Sequence, residues 1–313
     1  MESKDVAIQV RGLQKSYKEL SVLKGVDFDV ARGSIFALLG SNGAGKTTTI
    51  NILTTLIRAD GGTATVAGHD VAASPDRVRD EISLTGQFAA VDDRLTGREN
   101  VVLIGDLRHV ADSATTAADL LRRFGLEDAA DRSVSTFSGG MRRRLDIAMS
   151  LIGSPAVIFL DEPTTGFDPE GRNEMWRTIR TLAQGGTTVF LTTQYLDEAD
   201  ELADNIAVLH QGRIVARGTA DELKKLVPGG LIELGFQDAE TRDAAAKVLG
   251  GNYPCSEGEG TTLTITTQGT VAEVASVFGR LRDVGIEPTE FAQKVATLDD
   301  VFLKIVGTNG EEG

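Results

Sequence analysis

Eight consecutive residues, 40–47, have the types and spacing of a phosphate-binding loop. They read Gly-Ser-Asn-Gly-Ala-Gly-Lys-Thr and match the pattern G-x-x-x-x-G-K-[ST] in full. Glycines let such a backbone curl around phosphates, so that several N–H groups and a helix start point at one anion. Lys46 would place a positive charge on the outer phosphates, and Thr47 would offer a hydroxyl to Mg²⁺. The loop predicts a nucleoside triphosphate site.

The residues around this loop favour that interpretation over a simple glycine-rich turn. An apolar run over Ile35–Leu39 predicts a buried strand, and residues 47–57 predict a helix packed by its apolar side chains, Leu56 included. Strand, loop and helix therefore follow one another in the order that phosphate binding needs. The expected nucleotide contacts are Ser41, Asn42, Gly43, Ala44, Gly45, Lys46, Thr47 and Thr48.

Two adjacent carboxylates, Asp161 and Glu162, follow the apolar run 157–160. A buried strand would bring Asp161 beside the phosphate loop, where it would hold Mg²⁺. Glu162, one residue later, would polarise a water molecule for in-line attack on the γ-phosphate. The alternative is a pair of acids facing solvent at the end of a strand. The phosphate loop upstream favours the catalytic interpretation.

A second hydroxyl-and-glycine sequence, Ser138-Gly139-Gly140, precedes a predicted helix. Such a sequence forms an anion site at a helix N-terminus, or merely a serine N-cap with flexible glycines. On its own, the sequence favours the cap. The basic residues 142–144 that follow are interpreted as a solvated helix start rather than as a site for acidic groups.

The order of apolar segments predicts an α/β fold. Alternating residues near Val10 and Phe28 predict half-buried strands, and apolar runs at 157–160 and 188–191 predict buried strands separated by a helix. Such alternation indicates a mostly parallel sheet with helices on both faces. The early strands predict an antiparallel β subdomain, and residues about 92–150 predict a helical subdomain. Together they form a predicted first domain over 1–220.

A second domain is predicted over residues 221–313, with its boundary placed near residues 219–228, where a Pro-Gly-Gly break at 228–230 interrupts the pattern. Its strands and helices alternate, which indicates a small α+β domain. The last helix, 298–305, places its apolar residues on one stripe. That stripe either packs within its own domain or clamps the first domain or a second copy. Its residues are Leu298, Val301, Phe302 and Ile305.

Composition limits the class of protein. The 313 residues carry a formal net charge of −14, which argues against nucleic-acid binding because a duplex needs a basic face. The apolar runs are too short to span a bilayer, and the N-terminus lacks an apolar signal core, so a cytoplasmic protein is expected. The single cysteine, Cys255, excludes an internal disulfide.

Over roughly residues 5–220, the chain resembles the ATP-binding subunits of ABC transporters. The resemblance rests on the phosphate loop, Gln87, Ser138-Gly139-Gly140, Asp161-Glu162 and residues 166–169. It implies an ABC-type P-loop NTPase fold and an ATPase whose two copies sandwich two ATP molecules head to tail. It also implies that Tyr17 stacks on adenine, that Gln87 links Mg²⁺ to a membrane partner, and that Asp168 couples the two sites.

The chain departs from this family's pattern at several positions. Phe137 stands where the family usually has leucine, Met141-Arg142 where it often has glutamines, and Ser41 where it has proline. Gln194 occupies the position of the family's switch histidine. Its amide can donate a hydrogen bond to the γ-phosphate but cannot carry charge. This substitution bears on the rate of hydrolysis more than on ATP binding.

Three segments narrow the resemblance to the daunorubicin/doxorubicin-resistance ATPases: residues 138–146, 192–200 and 298–302. Membership implies export of hydrophobic drugs or lipid-like metabolites through a separate transmembrane permease, with this chain peripheral on the inner face of the cell membrane. One alternative is a slow nucleotide-gated dimerisation switch. A soluble ABC ATPase of translation or DNA repair is disfavoured. Translation factors of this type usually carry two ATP domains and repair proteins a long coiled-coil insertion, and this sequence shows neither.

Overall fold

The computed structural model describes residues 5–86, 90–227, 230–258, 260–267, 269–294 and 297–308, in two units, Met1–Thr219 and Ala220–Gly313. The strands of the first unit are β1 Val6–Tyr17, β2 Leu20–Ala31, β3 Ile35–Leu39, β4 Gly61–Val66, β5 His69–Asp70, β6 Ile82–Thr85, β7 Val157–Asp161, β8 Thr188–Thr193, β9 Asn205–His210 and β10 Arg213–Gly218. Its helices are α1 Lys46–Leu53, α2 Pro75–Glu81, α3 Gly97–Leu107, α4 Ser113–Arg123, α5 Gly139–Ser150, α6 Pro169–Gln184 and α7 Leu196–Leu202.

A mostly parallel sheet of order β10-β9-β3-β8-β7-β6 forms the centre of this unit. All neighbours pair in parallel except β9 and β10, which form an antiparallel hairpin. Every residue of β3 and β8 is buried, as expected for parallel strands covered on both faces. The ring of Phe190 packs against those of Phe36 and Phe159 within this core.

A second sheet, of order β2-β1-β4-β5, is antiparallel. The alternating residues Ile8, Val10, Val26 and Phe28 are buried in it, as the period of two predicts. The helical region contains α3, α4 and α5, and α3 begins at a capping box formed by Thr96 and Glu99. The first unit therefore contains an antiparallel sheet and a helical region in addition to the central sheet.

Two local predictions differ from the structure. Helix α1 ends at Leu53 rather than at residue 57, because Thr55 adopts a left-handed backbone with φ of 65°. Leu56 consequently lies outside the helix, and 63% of its surface is exposed instead of packed. Strand β6, which was not predicted, pairs with β7 and forms an edge of the central sheet.

The second unit is an antiparallel sheet with helices. Its strands are β11 Gly230–Gly235, β12 Cys255–Glu257, β13 Thr262–Thr267 and β14 Glu290–Lys294, and its helices are α8 Ala220–Lys224, α9 Ala239–Leu249, α10 Val271–Asp283 and α11 Leu298–Thr308. The sheet order is β12-β13-β11-β14, and side chains of α9 and α10 share its core. Leu298 and Val301 of the predicted apolar stripe are buried, and α11 contacts α8 of the same unit.

Among the described residues, no helix is both long enough and apolar enough to cross a lipid bilayer.

Candidate functional site

Three of the predicted site features lie at one edge of the central sheet: the phosphate loop, Asp161 and Gln194. Strands β3, β8, β7 and β6 are neighbours and run parallel, so their carboxyl ends lie at the same edge. The phosphate loop follows β3, Asp161 ends β7, and Gln194 follows β8. Ligands of open α/β sheets bind at this edge. The fold therefore brings together side chains that are more than a hundred residues apart.

The glycines of the phosphate loop are required by its conformation and by its neighbours. Gly43 and Gly45 have φ angles of 80° and 113°, which disfavour residues with a Cβ. A Cβ on Gly40 would lie 2.4 Å from the carbonyl oxygen of Leu209. Helix α1 starts at Lys46, near the end of the loop, so its free N–H groups lie at the loop.

Lys46 is held inside the loop. Its side chain is 5% exposed, and Nζ donates to the carbonyl oxygens of Gly40 at 2.8 Å and Ser41 at 3.2 Å. The same ammonium lies 3.4 Å from Oε1 of Glu162. The positive charge predicted for the outer phosphates is thus next to the predicted catalytic carboxylate.

Asp161 and Thr47 form an oxygen-rich pair beside this charge. Thr47 Oγ1 donates to Asp161 Oδ2 at 3.2 Å, and Thr192 Oγ1 donates to Asp161 Oδ1 at 2.5 Å. Carboxylate and hydroxyl oxygens are the ligands that Mg²⁺ prefers, together with phosphate oxygens of a substrate. These residues therefore fit the expected ion. Sequence reasoning missed Thr192, which becomes visible only once β7 and β8 are known to be neighbours.

Glu162 has a strained backbone that orients its side chain. Its φ of 48° is left-handed, which costs a residue with a Cβ about 1–3 kcal/mol and is typical of functional sites. Its N–H donates to the carbonyl and hydroxyl oxygens of Thr192, at 3.2 and 3.1 Å. Its Oε2 accepts a hydrogen bond from Thr165 Oγ1 at 3.2 Å. The carboxylate is thus directed toward Lys46.

The serine and glycines of residues 138–140 lie at the start of α5. Ser138 Oγ accepts from the N–H of Met141 at 3.2 Å, so the predicted N-cap exists. Asp168 caps α6 in the same way, with Oδ1 accepting from Gly171 N at 2.8 Å. Both helix starts border one cleft of about 450 Å³, which Gly139 and Gly140 also line. A serine cap and an anion site are therefore compatible here.

Three other predicted residues have different settings. Tyr17 is 47% exposed, and the ammonium of Lys15 lies 5.6 Å from its ring centroid. Gln194 is half-buried directly after β8. Gln87 lies outside the described residues, as does Phe88 next to it. Their expected contacts with adenine, γ-phosphate and metal remain predictions.

Arg143 corrects the interpretation of residues 142–144 as a solvated helix start. It is 6% exposed, donates to the carbonyl oxygen of Gly86, and lies 3.3 Å from Asp146 Oδ2. Asp146 Oδ1 accepts from the N–H of Ala90 at 3.0 Å. Burial raises the pKa of the Asp146 carboxyl and lowers that of the Arg143 guanidinium. The buried pair thus holds Gly86 through Arg143 and Ala90 through Asp146. In the sequence, only the i,i+3 spacing of Arg143 and Asp146 indicates that they could form an ion pair.

Comparisons with known proteins agree with this geometry. The ABC transporter family model matches residues 23–165. A daunorubicin resistance ATP-binding protein of Streptomyces coeruleorubidus is 47% identical over 311 residues, covering 97% of this chain and 96% of that protein. The chain belongs to the ATP-binding subunits of ABC transporters. A doxorubicin resistance ATP-binding protein of Mycobacterium tuberculosis is 41% identical over 97% of this chain and 94% of that protein.

Solved structures show the same ABC fold. CbiO1 of Clostridium perfringens, part of the ABC transporter complex CbiONQ, superposes with a TM-score of 0.66 at 25% identity. The match covers 70% of this chain and 90% of that one. The family, the P-loop NTPase fold and the ATPase activity predicted from the sequence are thereby confirmed. The roles of individual residues in this ABC ATP-binding subunit remain predictions.

Proposed function

We propose that this ABC ATP-binding subunit is a transport motor. Two copies close head to tail on two ATP molecules, and hydrolysis reopens them. The resulting movement drives a separate transmembrane permease from the inner face of the cell membrane. An ATP-binding domain over residues 1–220 performs this cycle, and residues 221–313 form an accessory domain.

The cleft at Ser138 carries the proposal. Its described lining includes Ser138, Gly139, Gly140 and Asp168 but no residue of the phosphate loop 40–47. This separation supports two candidate phosphate sites in one chain, the loop and the cleft. A head-to-tail dimer joins the phosphate loop of one copy to the Ser138 cleft of the other. Each ATP then contacts both copies, so nucleotide binding is coupled to closure.

The residues of the sheet edge would divide the chemistry between them. Lys46 and the loop N–H groups bind the phosphates, and Glu162 takes the proton of the attacking water. Gln194 donates its amide to the γ-phosphate, and Tyr17 stacks on adenine. Thr47, Asp161 and Gln87 would hold Mg²⁺, whose charge neutralises phosphate oxygens when it is bound.

The relatives support a hydrophobic, drug-like or lipid-like substrate that is exported. Their names specify resistance to daunorubicin or doxorubicin, and a Nod factor export ATP-binding protein of Ralstonia nicotianae is 35% identical over 96% of this chain. The substrate would pass through the permease. The net charge of −14 supports a partner other than nucleic acid.

Mixing two inactive variants tests the head-to-tail arrangement. Lys46→Ala disables the phosphate loop, and Ser138→Arg blocks the cleft, so each variant alone should lose ATPase activity. Their equimolar mixture should regain about a quarter of the wild-type rate, because half the dimers are mixed and each has one intact site. ATP turnover of the mixture is the measurement. No recovery, in a mixture shown to form mixed dimers, contradicts shared sites.

Gln194 favours a second candidate function, a slow switch that acts by ATP-dependent dimerisation. A side chain that cannot titrate should produce no activity step near about pH 6.5. Gln194→His should hydrolyse ATP as fast or faster, and Gln194→Ala more slowly, because alanine cannot reach the γ-phosphate. Steady-state turnover against pH is the measurement, and slow wild-type turnover with intact dimerisation supports the switch.

The exposed Gln184→Ala is the matched control for these variants. It removes the same amide from the end of α6 and should leave the rate unchanged. If Gln194→Ala leaves both dimerisation and turnover at wild-type values, Gln194 has no role in the site.

A further inference from the structure

A buried carboxyl group, that of Glu198, lies close to the site but has no part in the mechanism above. Glu198 is the third residue of α7 and is 1% exposed. Its Oε2 is buried as well. Burying a carboxyl group costs stability even when hydrogen bonds offset part of that cost, so its presence here calls for an explanation. Its contacts indicate what that explanation is.

Glu198 Oε1 joins two separate elements. It accepts a hydrogen bond from Thr164 Oγ1 at 2.8 Å and another from Trp176 Nε1 at 3.3 Å. Thr164 lies in the segment between Glu162 and Asp168, and Trp176 lies on α6, which Asp168 caps. One oxygen therefore fixes the segment after the predicted base and the helix that follows it.

The contact with Thr164 continues to Glu162. Thr165, the next residue, donates through its hydroxyl to Glu162 Oε2 at 3.2 Å and through its N–H to the Glu162 carbonyl oxygen at 3.3 Å. Thr164 is itself buried, and its carbonyl oxygen accepts from Phe167 N at 3.1 Å. Anchoring Thr164 thus fixes the residue that orients the Glu162 carboxylate.

Glu198 is also connected to Gln194. Glu198 lies in the first turn of α7, which begins at Leu196, two residues after Gln194. The predicted base, Glu162, and the predicted γ-phosphate donor, Gln194, are therefore connected through one buried carboxyl group.

We propose that Glu198 is a positioning residue of the ATPase reaction. By accepting the hydrogen bond from Thr164, it fixes the position of Glu162 relative to Gln194. The proposal rests on the proposed function, in which Glu162 is the base. A base that is misplaced by about 1 Å loses on the order of 10²-fold in rate, so a buried anchor matters at this position. ATP binding does not depend on the anchor, because Lys46 and the loop N–H groups supply it.

The pKa of Glu198 is consistent with this role. Burial raises the pKa of its carboxyl group, and the hydrogen bonds from Thr193, Thr164 and Trp176 oppose that rise. Changing Glu198 itself would alter burial and charge together. Removing one donor at a time is the cleaner experiment.

Thr164→Val removes one donor while keeping the shape of the side chain. We expect kcat for ATP to fall about tenfold or more with KM unchanged, because only the placement of the base changes. Thr164→Ser, which keeps the hydroxyl, should retain the wild-type rate. Trp176→Phe is the matched control, since it removes the other donor to the same oxygen without touching the segment after Glu162. Its kcat should stay within about twofold of wild type.

Thermal unfolding of each variant establishes that it is folded, and Thr164→Ala replaces Thr164→Val if the valine variant is not. A wild-type kcat in the folded Thr164 variant overturns the proposal. An equal loss of kcat in Trp176→Phe and Thr164→Val also overturns it. Loss of either donor to Glu198 would then disturb the structure around Glu198 in general and not the position of Glu162 in particular.

The Glu162→Gln background separates this proposal from the proposed function. If Thr164 acts through Glu162, adding Thr164→Val to Glu162→Gln should change the residual rate less than about twofold. A further tenfold loss in the double variant overturns the proposal while leaving Glu162 as the base. A near-normal rate in Glu162→Gln alone overturns the assignment of the base, and with it this proposal.

Discussion

A Glu162→Gln variant is expected to bind ATP and to hydrolyse it on the order of 10²–10⁴-fold more slowly, the loss typical of a removed general base. Glutamine can keep the hydrogen bond from Thr165 but cannot take a proton from water. It also removes the ion pair with Lys46, so the ammonium is free for the phosphates and ATP should bind at least as tightly. Single-turnover hydrolysis and ATP binding measure the two effects separately.

The same variant should accumulate as an ATP-bound dimer, because closure no longer ends in hydrolysis. Size-exclusion chromatography with and without ATP detects that state. Glu287→Gln, the same change at an exposed residue of the second unit, is the control and should hydrolyse ATP normally. Near-normal turnover in Glu162→Gln would falsify the assignment of Glu162 as the base.

A Lys46→Ala variant is expected to lose nucleotide affinity, by roughly 10- to 150-fold, as estimated from the value of hydrogen bonds to charged groups. The effect should differ from that of Glu162→Gln, because the predicted role of Lys46 is to bind phosphate before the reaction as well as during it. Removing the ammonium also leaves Glu162 without its ionic partner, so its carboxylate repels the incoming phosphates. Equilibrium titration with a fluorescent ATP analogue measures the dissociation constant.

Lys225→Ala is the matched control, since it removes an exposed lysine from the second unit. It should bind ATP with wild-type affinity. Wild-type affinity in folded Lys46→Ala would show that the loop N–H groups alone hold the phosphates. Comparing Lys46→Ala with Lys46→Ala/Glu162→Gln then shows how much of the loss comes from repulsion by Glu162.

Local patterns in the sequence were sufficient for most of the architecture. The alternation near Val10 and Phe28 and the apolar runs of β3, β7 and β8 each depend on a few neighbouring residues, and all appear as strands. The end of α1 was missed because the left-handed Thr55 has no marker such as glycine. Strand β6 was missed because a four-residue strand offers too short a pattern.

The sequence by itself determined the phosphate loop, the pair Asp161-Glu162, the Ser138 cap and the family, since each is a short motif of fixed spacing. Only the tertiary structure decided which distant side chains meet. The order β3-β8-β7-β6 brings Thr192 to Asp161, and the packing of α7 brings Glu198 to Thr164. Likewise, the sequence alone predicted that Arg143 is exposed together with its two neighbouring arginines, whereas in the structure it is buried beside Asp146. The physical reason is that motifs arise from backbone geometry within a few residues, whereas these contacts depend on strand order and helix packing, which no local pattern encodes.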